Sequence, residues 1–129
     1  MPRRKKADDP APRFERRYAA GVIADLAVLR ALNAGLVDAA LSAVEDLAFG
    51  RQVGKLLGDR HVTGDLTGLS RLRFDVVGHH PLRFRIVYRL IENDTVIEVL
   101  AIGERADLSV YRDTFARLDP AGDDTGRLA

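Results

Sequence analysis

The sequence predicts an α+β fold: a small antiparallel β-sheet, an N-terminal helical hairpin packed on one face of it, and a short C-terminal helix. Three observations carry that prediction. Apolar residues recur at helical spacing between Ala19 and Gly50, alternate at strand spacing between Leu69 and Ile102, and return to helical spacing from Leu108 to Leu118. Two apolar runs, beginning at Arg83 and at Val96, flank the polar turn Glu92-Asn93-Asp94-Thr95, the pattern of a β-hairpin. In the first run Phe84, Ile86, Tyr88 and Leu90 share one parity, while Arg83, Arg85 and Arg89 share the other. Side chains alternate across a strand, so one sheet face is apolar and the opposite face cationic.

The chain has 129 residues, room for one hydrophobic core but not two. Residues 1–12 read as a disordered basic arm, 13–118 as the domain, and 119–129 as a flexible tail. Without cysteine there is no disulfide framework and no thiolate metal site. No apolar run approaches the roughly 20 residues needed to span a bilayer. Arg3-Arg4-Lys5-Lys6 is followed by Asp-Asp-Pro and not by an apolar stretch, unlike a signal peptide, so a cytoplasmic location is expected.

The formal net charge of +1 conceals segregation. Residues 51–91 hold eight basic and three acidic groups, whereas residues 92–129 hold four and nine. A basic middle flanked by acidic segments focuses a polyanion onto one surface. Arginines that merely solvate an exposed sheet face would give the same count.

In chain order, Arg13 to Tyr18 is a short first strand. Val22, Ile23, Leu26, Leu29 and Leu32 define a helix that stops at Asn33-Ala34-Gly35. A second helix carries Leu36, Val37, Ala40, Leu41, Val44, Leu47 and Ala48, and closes at Gly50. So tight a connection makes the two an antiparallel hairpin. Residues 50–68 form a connector with five glycines. His61 within it reads as a surface histidine, without a second ligand at metal-site spacing. No Gly-Lys-Ser/Thr ending makes these glycines a phosphate loop.

Leu72, Phe74 and Val76 then alternate with Arg71, Arg73 and Asp75. His79 and His80, in the loop that follows, are acid–base groups by type, although adjacent loop residues rarely converge on one atom. The strand from Val96 to Ile102 is apolar on both parities, as expected of a central strand covered on both faces. Leu108, Tyr111, Phe115 and Leu118 form the last helix, which ends at Asp119-Pro120.

Two segments, Arg83-Phe-Arg-Ile-Val-Tyr-Arg and Ile102-Gly-Glu-Arg-Ala-Asp-Leu-Ser-Val-Tyr111, together resemble motifs of the RelE/ParE superfamily of bacterial type II toxins. The first is similar to that superfamily's aromatic-Arg-hydrophobic-hydrophobic-Tyr strand. The second is similar to its closing Gly-x-Arg, five residues, Tyr motif. In the RelE-like branch the resemblance implies a ribosome-dependent endoribonuclease, an mRNA interferase held inactive by an antitoxin. Arg85 would contact the scissile phosphate, Arg105 would serve the leaving group, and Tyr111 would act on the attacking 2′-hydroxyl. Arg71 and Arg73 would grip the RNA backbone, with Arg83 and Arg89 beside them on the cationic face. The implied partners are an antitoxin protein, the ribosome and mRNA; no metal, cofactor or membrane is implied.

The residue types suit that chemistry. Attack by a 2′-oxygen needs a proton acceptor, in-line geometry and positive charge where the pentavalent phosphorus gathers negative charge. A free tyrosine, with a pKa of about 10, is a poor base at neutral pH, and several guanidinium groups near Tyr111 would favour its phenolate. Arginine supplies planar, permanently charged donors matched to phosphate. Each residue also has a structural role open to it. Arg73 and Arg85 would be solvated strand residues, Arg105 would cap a helix or pair with Glu104 or Asp107, and Tyr111 would be a core ring with its hydroxyl at the edge. The competing functions are a ParE-like inhibitor of DNA gyrase, whose members generally lack the closing Arg/Tyr pair, and a catalytically silent binding module.

Overall fold

Seven strands and three helices are described: β1 (Glu15–Tyr18), α1 (Val22–Leu32), α2 (Gly35–Ala48), β2 (Lys55–Leu56), β3 (Asp59–Arg60), β4 (Gly64–Asp65), β5 (Ser70–Phe74), β6 (Phe84–Ile91), β7 (Val96–Glu104) and α3 (Ser109–Leu118). The computed structural model describes residues 11–60, 64–65, 68–106 and 109–118. The basic cluster Arg3–Lys6, His61, Leu108 and the tail from residue 119 lie outside these.

β6 and β7 pair antiparallel along their whole length, from Phe84 opposite Glu104 to Ile91 opposite Val96. Their turn is tight enough to hold Glu92, Asn93 and Asp94 at φ of 55, 59 and 62°. This left-handed conformation strains residues bearing a Cβ. The Thr95 amide, donating to Ile91 O at 3.1 Å, and its hydroxyl, donating to Glu92 O at 2.7 Å, close the turn.

The main sheet has five strands in the order β1-β7-β6-β5-β2. Two of its strands differ from the expectation. β1 joins the edge of β7 in parallel, with Tyr18 opposite Val99, so the sheet is mixed. β2 adds a two-residue edge to β5, placing Lys55 opposite Arg71 and Leu56 opposite Ser70. β3 and β4 pair as a separate small hairpin.

Along β7 the alternation slips once. Val87 of β6 faces Ala101 but Tyr88 faces Val99, leaving Leu100 as an extra residue, a β-bulge. Ile97, Val99 and Ile102 therefore point into one layer, and Leu100 and Ala101 into the other.

The first layer is the main core. Val22 and Leu29 of α1 and Leu36, Ala40, Val44 and Leu47 of α2 pack on Phe74, Phe84, Ile86, Tyr88 and Ile97. The Phe74 and Phe84 rings lie 5.7 Å apart. α2 follows its predicted stripe except at Leu41, which is exposed. α1 does not: Ile23 is 77% and Leu32 60% exposed, because an alanine-rich helix that is apolar all round has no unique face to bury.

The second layer lies on the opposite face, where the arginines of β5 and β6 stand beside the second apolar parity of β7. Val110 and Tyr111 of α3 join Leu57, Leu69, Val87, Leu100 and Ala101 in a smaller core. Val110 of α3 packs over Gly103, where a Cβ would stand 3.4 Å from the Val110 Cβ. An ion pair ties the two layers together around β7. Arg117 of α3 donates from Nη1 and Nη2 to Asp25 of α1, both at 2.8 Å. β1 stops at Val99, and beyond it the Leu100 carbonyl accepts from Arg117 Nη1 at 2.8 Å while the Ile102 amide donates to Asp25 at 2.9 Å. The pair thus satisfies backbone groups that an edge strand leaves open.

Candidate nucleic-acid interface

The register of the sheet decides which cations meet. Arg73 of β5 lies directly opposite Arg85 of β6, and Arg71 of β5 lies directly opposite Lys55 of β2. Two like-charged cross-strand pairs therefore sit two residues apart on one face. Like charges directly opposite one another destabilise a sheet. Among the described residues no carboxylate forms a salt bridge with Lys55, Arg71, Arg73, Arg85 or Arg105. Arg105 extends the row: its amide donates to Arg83 O at 3.0 Å, continuing the β6–β7 ladder, and its side chain is exposed.

Arg85 is the half-buried member. Its Nη1 donates to the carbonyls of Leu82 and Phe84, both at 3.0 Å, and its guanidinium also meets the Tyr111 hydroxyl. Burial pushes the Arg85 pKa below its ordinary value; the positive charges of Arg71 and Arg73 add to that, while Tyr111 opposes it. Tyr111 itself is 1% exposed. It is a core ring with its polar end at Arg85, so in this geometry the phenol meets the guanidinium and not solvent.

The remaining expected members of the cationic face have carboxylate partners. Arg83 donates from Nε at 2.8 Å and Nη2 at 2.9 Å to Asp75, and its amide donates to the same carboxylate at 3.0 Å. Hydrogen bonds from Arg83 hold the Asp75 carboxyl far below the usual range, and the same contacts raise the Arg83 pKa. Arg89 donates from Nε to Glu98 at 2.7 Å. Among the described residues the expected row of five arginines on the face therefore divides into Arg71, Arg73 and Arg85, which have no carboxylate in a salt bridge, and Arg83 and Arg89, which do.

His79 Nδ1 stands 3.4 Å from Asp75 Oδ2 and 3.3 Å from Pro81 O, and His80 is exposed. The two imidazoles do not converge. Among the described residues no group of three or more His, Asp or Glu is placed to hold a metal ion.

The sequence reading missed Lys55. Two residues between Gly54 and Gly58 show no alternation, so nothing marked them as a strand. Only the pairing with β5 brings that ammonium beside Arg71.

A hairpin of helices on one face of a mixed sheet, with a third helix on the other, is the architecture of RelE-like toxins. The fold is similar to that of a double-arginine mutant of the E. coli toxin RelE in the free state, with a TM-score of 0.57 and 14% identity over 81% of this chain and 97% of that one. It is also similar to a chain of the toxin–antitoxin complex RelBE2 from Mycobacterium tuberculosis, with a TM-score of 0.45 and 25% identity over 74% and 100% of the two chains. No curated protein matches. The family model for the ParE toxin of the type II toxin–antitoxin system parDE matches residues 17–108, and the chain belongs to that family, within the RelE/ParE superfamily.

Proposed function

We propose that this toxin cuts messenger RNA in the ribosome by attack of a substrate 2′-oxygen on the adjacent phosphorus. The observation that carries the reading is the run of cations without carboxylates, Lys55 and Arg71, Arg73 and Arg85, then Arg105. Guanidinium groups in a fixed register, without a salt bridge to a carboxylate among the described residues, suit a phosphodiester. The 2′-oxygen–phosphorus bond forms as the 2′-hydroxyl gives its proton to water, the bond to the 5′-oxygen breaks, and the 5′-oxygen takes a proton from water. Arg85 and Arg73 meet the charge that gathers on the equatorial phosphate oxygens, and Arg105 meets the departing oxygen.

Tyr111 is assigned a role through Arg85. At 1% exposure its hydroxyl orients that guanidinium and does not reach a substrate 2′-hydroxyl. Tyr111→Phe, which keeps the ring, is expected to slow cleavage about tenfold, the loss of one hydrogen bond to a charged group. Its pH profile and melting temperature should match the parent's. A far larger loss with an altered pH profile would return the phenol to proton transfer.

The test is induction of the chain without a partner, followed by mapping of RNA 5′ ends on ribosome-bound messages. Cuts within codons that vanish in Arg85→Ala support the reading. The second reading, gyrase inhibition, is favoured by the family match itself, which is to a ParE toxin and stops at residue 108, before Tyr111. Growth arrest that survives Arg85→Ala, with gyrase supercoiling blocked, would decide for it. Absence of both arrest and RNA cutting would leave a silent binding module.

Membership of a type II toxin family supports an antitoxin as partner. α1 offers a surface for it. Ile23 and Val28 are 77% and 62% exposed, and a depression of about 530 Å³ runs beside Leu26, Ala27 and Val37. Exposed apolar strips on a helix suit an amphipathic helix laid alongside.

A further inference from the structure

Resting on the nuclease reading, we infer that the outer edge of β5 holds a subsite for the base of a nucleotide next to the cleaved phosphate. β2 covers only Ser70 and Arg71, so β5 from Leu72 to Phe74 extends past it. A depression of about 390 Å³ lies there, lined by Gln52, Val53, Lys55, Arg71, Arg73 and Leu82 among others. It adjoins both cationic pairs.

The geometry of the strand sets the step. Arg71 and Arg73 are two residues apart, about 6.7 Å along a strand, a step close to that between successive phosphates of an extended single strand. Arg73 with Arg85 takes one phosphate, and Arg71 with Lys55 takes its neighbour. A nucleotide bridging the two pairs turns its base outward, over the edge of the sheet. Unstacked bases bind in this way against apolar side chains, with their edges read by hydrogen bonds.

The lining suits a base. Val53 is 84% exposed and Leu82 is half-buried, giving apolar surface for the ring faces. Gln52 is exposed, and among the described residues no hydrogen bond engages its side chain. Its amide presents a donor and an acceptor together, a pair that matches adenine with two bonds. The segment is held close to β5 because residue 54 is glycine. The Gly54 amide donates to the Tyr88 hydroxyl at 2.9 Å, and a Cβ at that position would stand 2.7 Å from Arg71 O. Gln52 and Val53 are thereby fixed beside the arginines.

The probe is a set of four fluorescein-labelled tetraribonucleotides, alike except for one variable base beside a 2′-deoxy sugar that prevents cleavage. They are titrated with the full chain at low salt. The adenine probe is expected to bind about tenfold more tightly than the others. Gln52→Ala should bring it to their level. Lys55→Ala should weaken all four together and lower the salt slope by about 0.7. Equal binding of the four probes, no binding of any, or a preference that survives Gln52→Ala would overturn the subsite. RNA-end mapping separates the two ideas. Messages cut without base discrimination refute the subsite alone, and discrimination without cutting refutes the nuclease reading alone.

Discussion

Arg83, the residue before β6, and Arg85 and Arg89 within it form a row on one side, yet the ends of that row and its middle are built differently. At the ends each arginine is bound by a carboxylate: Asp75 takes Arg83, and Glu98 takes Arg89. In the middle Arg85 faces Arg73 across one ladder and Gly103 across the other, with Tyr111 above. The ends are closed electrostatic units that help hold the sheet together. The middle concentrates charge at a cost in stability, the feature on which the proposed phosphate site rests. Parity places a cation on a face; its neighbours decide whether it is free to bind anything.

That contrast can be broken by substitution along the strand itself. The largest effect is expected on the other side of it, where Phe84 is 1% exposed in the main core. Phe84→Ala should cost about 3–5 kcal/mol in denaturant unfolding. Arg85→Ala should reduce RNA cleavage by about 10²–10³, with a smaller loss of stability of about 1–3 kcal/mol from the carbonyls and phenol it leaves without a donor. Equal loss of activity in Arg89→Ala would erase the distinction between middle and ends.

Asp75→Asn should destabilise by roughly 1–3 kcal/mol at neutral pH. The sign of its pH dependence follows from the depressed carboxyl. Stability from Asp75 is present above the unfolded-state value of about 3.9 and is lost as pH falls through the lower folded-state value. The gap between parent and Asp75→Asn should therefore narrow below about pH 4, measured by unfolding at pH 7 and pH 3. The smallest effect belongs to Arg89→Ala, where a partly exposed pair with Glu98 is worth about 0–1 kcal/mol and cleavage should stay within about twofold of the parent.

The sequence showed the strand alternation, the β6–β7 hairpin and the stripe of α2, because each is a local period with few competitors. It showed Arg71, Arg73 and Arg85 as companions on one face. It did not show that Arg83 and Arg89 are neutralised, since those contacts depend on register and on where Asp75 and Glu98 fall. Leu108, Tyr111 and Phe115 suggested that a helix returns to the sheet, but not to which face. α3 landed on the cationic face because Val87, Leu100 and Ala101 make an apolar patch there, and Ala101 joins that patch only through the bulge. Lys55 was illegible for want of length, and the edge of α1 for want of contrast among its apolar residues.

The bulge at Leu100 acts as a phase shift in the sidedness of β7. Up to Val99 the odd-numbered residues look toward the paired helices; after it the even-numbered Ile102 does, and Gly103 turns toward Arg85. Removing that one residue would let Ala101 follow Val99 in an unbroken ladder, with Ile102 and Gly103 keeping the faces they already occupy. What the extra residue adds is a second apolar side chain on the face that α3 covers, since Leu100 and Ala101 both point there. The irregularity thus widens the footing of the last helix without moving any arginine.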